Sequence, residues 1–166
     1  PTFKVFSMPY LFRDDAHRFA VLEGEIGKEM LRSPIDDRLR GLCFYDAGSR
    51  SFYTLNTPIR KPSDLKGLKI RTMESTMAMA MVRAMGGSAT RISWGELYSA
   101  LQQGIVDGAE NNPPSYHLSH HYEVTKYYSL DEHTSVPDIL LISTIVWDKL
   151  TEHQKEIIRQ AAAESA

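Results

Sequence analysis

Three short apolar segments of this chain each end in polar residues just before a helix is predicted to begin. The segments, with the residues that follow them, are 68–70 with Arg71, 89–92 with Ser93 and Trp94, and 105–109 with Glu110, Asn111 and Asn112. In an open α/β sheet, ligands bind in the crevice outside the carboxyl ends of the strands. A guanidinium, an indole and amides at that edge predict a pocket for a small organic anion.

Composition excludes several classes of protein. The chain has 166 residues, 42% hydrophobic and 24% charged, which fits one ordinary soluble domain or two small lobes. A net charge of −2 gives no basic field for nucleic acid. No apolar run reaches the roughly 18–20 residues of a membrane span, so we expect no direct membrane insertion. The single cysteine, Cys43, excludes an intrachain disulfide, which fits the cytosol and the bacterial periplasm equally.

Alternation of helical and strand patterns along the chain predicts an α/β architecture. Beside the three strand–helix junctions, the pattern predicts a helix at 14–32, strands at 39–46, 51–55, 124–130 and 139–142, and helix N-caps at Ser93 and Thr151. Breaks at 46–50 and 131–137 are where a chain that crosses twice between lobes would have its hinges. The chain begins with Pro1 and ends within a helix, so we expect a fragment or mature portion of a longer protein.

Arg71 is the strongest single candidate for anion binding. The planar guanidinium of arginine binds a carboxylate through two parallel hydrogen bonds, and the end of a strand would partly desolvate it. The alternative is a structural ion pair with an aspartate or glutamate. Arg50 follows one of the predicted breaks and has the same chemistry, although the pattern alone favours a solvated turn arginine.

Other candidates carry structural alternatives too. Asn111 and Asn112 could orient hydroxyl or carboxylate groups, because amides both donate and accept hydrogen bonds. Trp94 is either a ligand platform or a core residue. Methionines recur every fourth residue from Met73 to Met85, which is typical of a buried stripe and, less often, of an adaptable binding surface.

Motifs for catalysis and metal binding are missing. The sequence has no G-x-S-x-G, no P-loop and no G-x-G-x-x-G. Four histidines lack the spacing of a zinc site and are interpreted as surface residues: His117, His120, His121 and His133. We therefore expect no catalytic residue, no metal and no cofactor.

Two longer segments resemble a known family. Residues 58–71 read PIRKPSDLKGLKIR and residues 94–114 read WGELYSALQQGIVDGAENNPP. In order and spacing they are similar to the DctP-type solute-binding proteins of tripartite ATP-independent periplasmic (TRAP) transporters, and the resemblance extends over essentially the whole chain. It implies a two-lobed periplasmic-binding-protein-like fold of type II, with a ligand cleft between lobes and incomplete at both ends. Residues 1–47 and 137–166 would form part of lobe I, and 48–136 lobe II.

The resemblance also implies roles for individual residues. Arg71 matches the arginine that binds the substrate carboxylate, Arg50 a second arginine that approaches it, and Asn111 an asparagine that contacts ligand. Glu74 and Trp94 match positions that line the pocket. With Asn112, these residues form the predicted ligand-binding set.

The function implied is capture and delivery of a solute. Residues 108–138 resemble the branch that binds hexuronates, although Pro113 and Pro114 differ from the tryptophan–proline pair of several relatives and leave other sugar acids open. The full-length protein, with a signal peptide, would bind glucuronate or galacturonate in the periplasm and deliver it to a TRAP membrane permease. Two alternatives are an enzyme acting on sugar acids, with Glu74 and His133 as an acid–base pair, and the ligand-binding domain of a sensor.

Overall fold

The computed structural model of the chain describes residues 2–166, which fold into two compact units. The first unit comprises residues 2–3, 12–47 and 137–166, and the second comprises residues 4–11 and 48–136. Both units combine helices with sheet, so the α/β prediction is confirmed. None of the helices in residues 2–166 has both the length and the apolarity needed to cross a membrane.

The first unit is built on a two-stranded antiparallel sheet. Its elements are α1 (Asp15–Glu23), α2 (Glu25–Arg32), β1 (Leu39–Tyr45), β7 (Asp138–Ser143), α6 (Thr144–Trp147) and α7 (Glu152–Ser165). β1 pairs with β7. The single helix predicted at 14–32 is wrong, because extended backbone at Gly24 separates α1 from α2. The predicted N-cap Thr151 is confirmed, since its hydroxyl accepts the N–H of Gln154.

The second unit contains a five-stranded mixed sheet with helices between its strands. Its elements are β2 (Arg50–Thr54), β3 (Lys69–Thr72), α3 (Thr76–Ala84), β4 (Ser88–Arg91), α4 (Trp94–Gln102), β5 (Gly108–Asn111), α5 (Pro113–Leu118) and β6 (Tyr127–Thr134). The strand order is β4-β3-β5-β2-β6. β3 runs parallel to β4 and β5, whereas β2 runs antiparallel to β5 and β6. The carboxyl ends of β3, β4, β5 and β6 therefore share one edge with the amino end of β2.

Two apolar clusters hold the helices against this sheet. Phe52 and Ile70 pack with the α3 residues Met81 and Val82. Tyr53 and Ala109 belong to the other cluster, together with three buried residues of α4: Leu97, Ala100 and Leu101. Adjacent residues of one strand face opposite sides of a sheet, so Phe52 and Tyr53 bring α3 and α4 to opposite faces.

The methionine stripe is only partly buried. Met81 is buried, but Met77 is 39% exposed and Met73 precedes the helix, which begins after its N-cap Ser75. The buried-stripe interpretation therefore holds for one turn of α3 and not for the whole series.

The strand at the third junction, predicted at 105–109, begins three residues later than predicted. The strand is Gly108–Asn111, and the apolar residues before it form a turn with Ile105 exposed. Asp107 fixes this turn, because its carboxylate accepts the N–H of Lys69 at 2.7 Å and its carbonyl accepts the N–H of Leu55 at 2.9 Å. Glu110 and Asn111 consequently lie within the strand and not after it.

The predicted break at 131–137 is partly wrong, since β6 continues to Thr134. A large bulge interrupts its pairing with β2, where the register passes from Phe52↔Ser129 to Arg50↔Thr134. Within the bulge, the Asp131 carboxylate accepts the N–H of Phe52 at 2.9 Å. The polar residues that indicated a break therefore belong to a structured irregularity of the strand.

Candidate functional site

The candidate site is at the edge of the five-stranded sheet where the strand ends converge. β3 carries Arg71, β5 carries Asn111, and Arg50 is the first residue of β2. Pairing places Arg71 opposite Ala109 and places Ser51, next to Arg50, opposite Asn111. Three of the predicted ligand residues are thus on adjacent strands.

Arg50 is engaged by the protein itself. It is 9% exposed, and its guanidinium binds both carboxylate oxygens of Glu110, with Nε–Oε2 2.5 Å and Nη2–Oε1 3.0 Å. Nη1 donates to Oδ1 of Asn111 at 2.7 Å, and Nη2 also donates to the Glu110 carbonyl at 2.9 Å. The solvated-turn alternative is wrong, because this side chain forms a buried bidentate ion pair.

His133 and Asp131 extend the ion pair of Arg50 and Glu110 into a four-residue cluster. His133 is fully buried, with Nδ1 2.6 Å from a carboxylate oxygen of Asp131 and Nε2 3.5 Å from Oε2 of Glu110. Burial lowers the pKa of His133, but the two carboxylates outweigh burial and the net pKa is raised. Burial alone would raise the pKa of Glu110. The contacts with His133 and Arg50 outweigh burial, and the net pKa of Glu110 is lowered. When His133 is protonated, two cations and two anions balance in this cluster: Arg50, His133, Glu110 and Asp131.

Arg71 has no such compensation. It is 5% exposed and donates one hydrogen bond, from Nε to the carbonyl of Ile92 at 2.9 Å. Among residues 2–166, no carboxylate forms an ion pair with it, and its buried Nη1 has no hydrogen-bond partner. Burial and the nearby charge of Arg50 lower its pKa, against an opposing effect of Glu110 and Tyr53. This cation has the donor geometry that binds the two oxygens of a carboxylate.

Trp94 is the first residue of α4 and lies beside Arg71. The guanidinium carbon is 5.4 Å from the centre of the Trp94 ring, within the range of a cation–π contact. The side chain is 41% exposed, so it is not the core residue that the alternative interpretation required.

The two asparagines have different roles in the structure. Oδ1 of Asn111 accepts from Arg50 and from the N–H of Asn112, and no described residue accepts a hydrogen bond from its Nδ2. Asn112 caps α5, with Oδ1 accepting the N–H of Ser115 at 2.9 Å. The side-chain amide of Asn111 is therefore oriented by Arg50, whereas the oxygen of Asn112 is occupied by the helix.

Glu74 is exposed and forms no hydrogen bond or ion pair with another residue of the described chain. The structure does not join it with His133, which is fully buried between two other carboxylates. The acid–base pair of the enzyme alternative is therefore not assembled.

Sequence reasoning missed several buried polar residues at this edge. The prediction that His121 and His133 lie on the surface is wrong: they are 1% and 0% exposed. Glu110, Asp131 and Tyr53 were not candidates either. A glutamate directly before Asn111 was visible in the sequence, but its partner is 60 residues away. No group of three or more His, Cys, Asp and Glu side chains in residues 2–166 is arranged to hold a metal ion.

Comparisons with known proteins match the whole chain. The family model described as bacterial extracellular solute-binding protein, family 7 (DctP) covers residues 1–166. A solute-binding protein of Chromohalobacter salexigens is 39% identical over 166 residues, which is 100% of this chain and 49% of that protein.

Two crystal structures of TRAP periplasmic solute-binding proteins are also similar. One, from Xanthobacter autotrophicus Py2 with bound β-D-galacturonate, is 49% identical with a TM-score of 0.91, and the match covers 97% of this chain and 54% of that one. The other, from Chromohalobacter salexigens with bound D-glucuronate, is 39% identical with a TM-score of 0.95, and the match covers 98% and 54%.

The chain spans about half the length of these relatives. The match nevertheless includes every strand that contributes to the candidate site. This chain belongs to the DctP family, the bacterial extracellular solute-binding proteins of family 7.

Proposed function

We propose that the protein of which this chain is part captures a sugar acid, such as glucuronate or galacturonate, in the periplasm and delivers it to a TRAP membrane permease. Arg71 binds the carboxylate. The family and the sugar acids bound by the two similar crystal structures support this proposal.

The contrast between the two buried arginines carries the proposal. Glu110 neutralises Arg50, whereas Arg71 has no carboxylate partner among the described residues. A buried charge without a partner is costly, since its lost hydration is not replaced. A ligand carboxylate supplies both the opposite charge and the missing hydrogen-bond acceptors.

The remaining candidates orient the rest of the ligand. Asn111 offers its Nδ2 donor to a ligand oxygen, because Arg50 already holds its Oδ1. Arg50 adds one Nη1 donor that is not used in its four hydrogen bonds to Glu110 and Asn111. Trp94 packs against the carbon skeleton, and Glu74 and Asn112 contribute polar groups at the margin of the site.

The division into two compact units supports two lobes, with residues 12–47 and 137–166 in part of lobe I and residues 48–136 in lobe II. Lobe II would then carry the whole predicted ligand-binding set. Residues 4–11 accompany lobe II, since the N–H of Tyr10 donates to the carbonyl of His133 at 2.8 Å.

Calorimetric titration of the full-length protein with glucuronate and galacturonate tests the role of Arg71. Micromolar affinity corresponds to about −8 kcal/mol, and breaking a buried charge pair costs about 3–5 kcal/mol. Arg71→Ala is therefore expected to weaken binding by at least about a hundredfold.

The matched control is Arg91→Ala. Arg91 ends the neighbouring strand β4 but is exposed, so its removal should leave the affinity nearly unchanged. Equal affinities of the wild-type and Arg71→Ala proteins would contradict the assignment. Conversion of the sugar acid by the purified protein would instead favour the enzyme alternative.

A further inference from the structure

Few protein contacts determine the orientation of Arg71. Its guanidinium has one hydrogen bond, to the carbonyl of Ile92, and one aromatic contact, with Trp94. No other described residue accepts a hydrogen bond from it. The indole is therefore one of two contacts that orient the guanidinium.

His121 is the second ring in contact with this indole. The two ring centres are 5.1 Å apart in an edge-to-face arrangement, which is a favourable geometry for aromatic pairs. His121 begins the short 3-10 helix His121–Glu123 between α5 and β6, yet it is only 1% exposed.

The core of the second unit anchors His121 on two sides. Its Nδ1 is 2.9 Å from the hydroxyl of Tyr53, which is fully buried in the cluster that packs α4 onto the sheet. Its carbonyl accepts the N–H of Thr125 at 3.1 Å and the Thr125 hydroxyl at 2.9 Å. Both the ring and the backbone are thus held by buried groups.

We propose that His121 is a positioning residue of the anion site: anchored by Tyr53, its ring fixes Trp94 and, through Trp94, the guanidinium of Arg71. The inference rests on the proposed function, in which Arg71 binds the carboxylate. In this proposal His121 acts through Trp94, which lies between its ring and Arg71, and not by contact with the ligand. Fixing Arg71 before binding reduces the conformational entropy that the ligand would otherwise have to offset.

The charges around His121 give this role a pH signature. Arg71 is the charged group that faces it from β3, and Tyr53 and Tyr98 are the titratable groups that face it from β2 and α4. Burial and the charge of Arg71 lower the pKa of His121. A bound carboxylate neutralises Arg71, so the pKa of His121 should rise on binding, and binding at mildly acidic pH should take up protons.

The main test is His121→Asn in the full-length protein. The asparagine amide keeps a polar group near Tyr53 but removes the ring edge that contacts Trp94. We expect glucuronate to bind about tenfold more weakly and proton uptake to disappear, both measured by calorimetry in two buffers of different ionisation enthalpy. His153→Asn, an exposed position on α7, is the matched control and should behave like wild type.

A second variant tests the proposal if His121→Asn does not fold. A second measurement tests it if the wild-type protein does not bind glucuronate. Tyr53→Phe keeps the core ring, removes only the hydrogen bond, and should weaken binding by about threefold. In the ligand-free protein, the NMR signal of the Trp94 indole N–H, assigned with Trp94→Phe, should move in His121→Asn and not in His153→Asn. An unmoved signal, or unchanged affinity and proton uptake in His121→Asn, overturns the proposal. A wild-type protein that does not bind glucuronate contradicts the proposed function, and the indole signal still decides the role of His121.

Discussion

Two arginines at one sheet edge have opposite electrostatic surroundings. Arg50 belongs to a buried cluster with Glu110, His133 and Asp131, and the contacts within that cluster hold its guanidinium in place. Arg71 retains an uncompensated charge and is buried to a similar extent. This combination gives the site one rigid polar wall and one available cation, which suits a monoanionic ligand better than a neutral one.

The raised pKa of His133 makes stability depend on pH. Its pKa is higher in the folded than in the unfolded state, so its contribution is fully present below the unfolded pKa of about 6.5 and is lost as the pH rises through the folded pKa. His133→Gln removes the charge and should lower the melting temperature more at about pH 6 than at about pH 9. Thermal denaturation of the full-length protein measures this, with His153→Gln as the exposed control. An equal loss at both pH values would show that His133 is not charged in the folded protein.

For the residues of the candidate site, the sequence predicted positions but not surroundings. Arg71 and Asn111 were identified from their places after apolar runs, and the structure brings their strands together. Their environments were not predictable, since Arg50 meets Glu110 across 60 residues of chain and His133 reaches it through a bulge in β6. The local sequence pattern locates the ends of strands, but it does not show which distant side chains neutralise the charges there.

At the scale of elements, the local pattern also failed to predict where strand β5 begins. The pattern at 105–109 is apolar enough to predict a strand, yet the hydrogen bonds of Asp107 turn the chain there and start β5 at Gly108. The shift places Glu110 inside the sheet and Asn111 opposite Ser51. The start of α7 was predicted correctly, because the Thr151 cap acts within one turn.

The register of β5 depends on the glycine at its start. A Cβ on Gly108 would overlap the backbone carbonyl of Tyr53 and the side chain of Thr54 on β2. Gly108→Ala should therefore destabilise the second unit by about 1–3 kcal/mol, as overpacking does, and weaken ligand binding with it. Gly95→Ala is the control: that position in α4 has open space, and alanine should stabilise the helix by up to about 1 kcal/mol. Urea denaturation of both variants measures the difference, and equal stabilities would mean that β2 and β5 separate easily.

At the scale of the whole molecule, one unit holds every residue of the predicted ligand-binding set. Residues 48–136 supply both arginines, both asparagines, Glu74 and Trp94, while the first unit contains a smaller antiparallel sheet. The chain spans about half the length of the relatives that it matches. If Arg71 binds a carboxylate as proposed, this unit alone supplies the charge that recognises the ligand.

The proposed role of Arg71 predicts how the full-length protein discriminates between ligands. A ligand that binds only the folded state stabilises it by about 2.7 kcal/mol at a hundredfold excess over Kd. Glucuronate and galacturonate should therefore raise the melting temperature, whereas glucose and galactose at the same concentration should not, because they cannot compensate the buried charge of Arg71. Thermal-shift measurements with the four sugars test this, and Arg71→Ala should abolish the shift for both acids. Equal stabilisation by glucose and glucuronate would show that the hydroxyl contacts, and not the cation, dominate recognition.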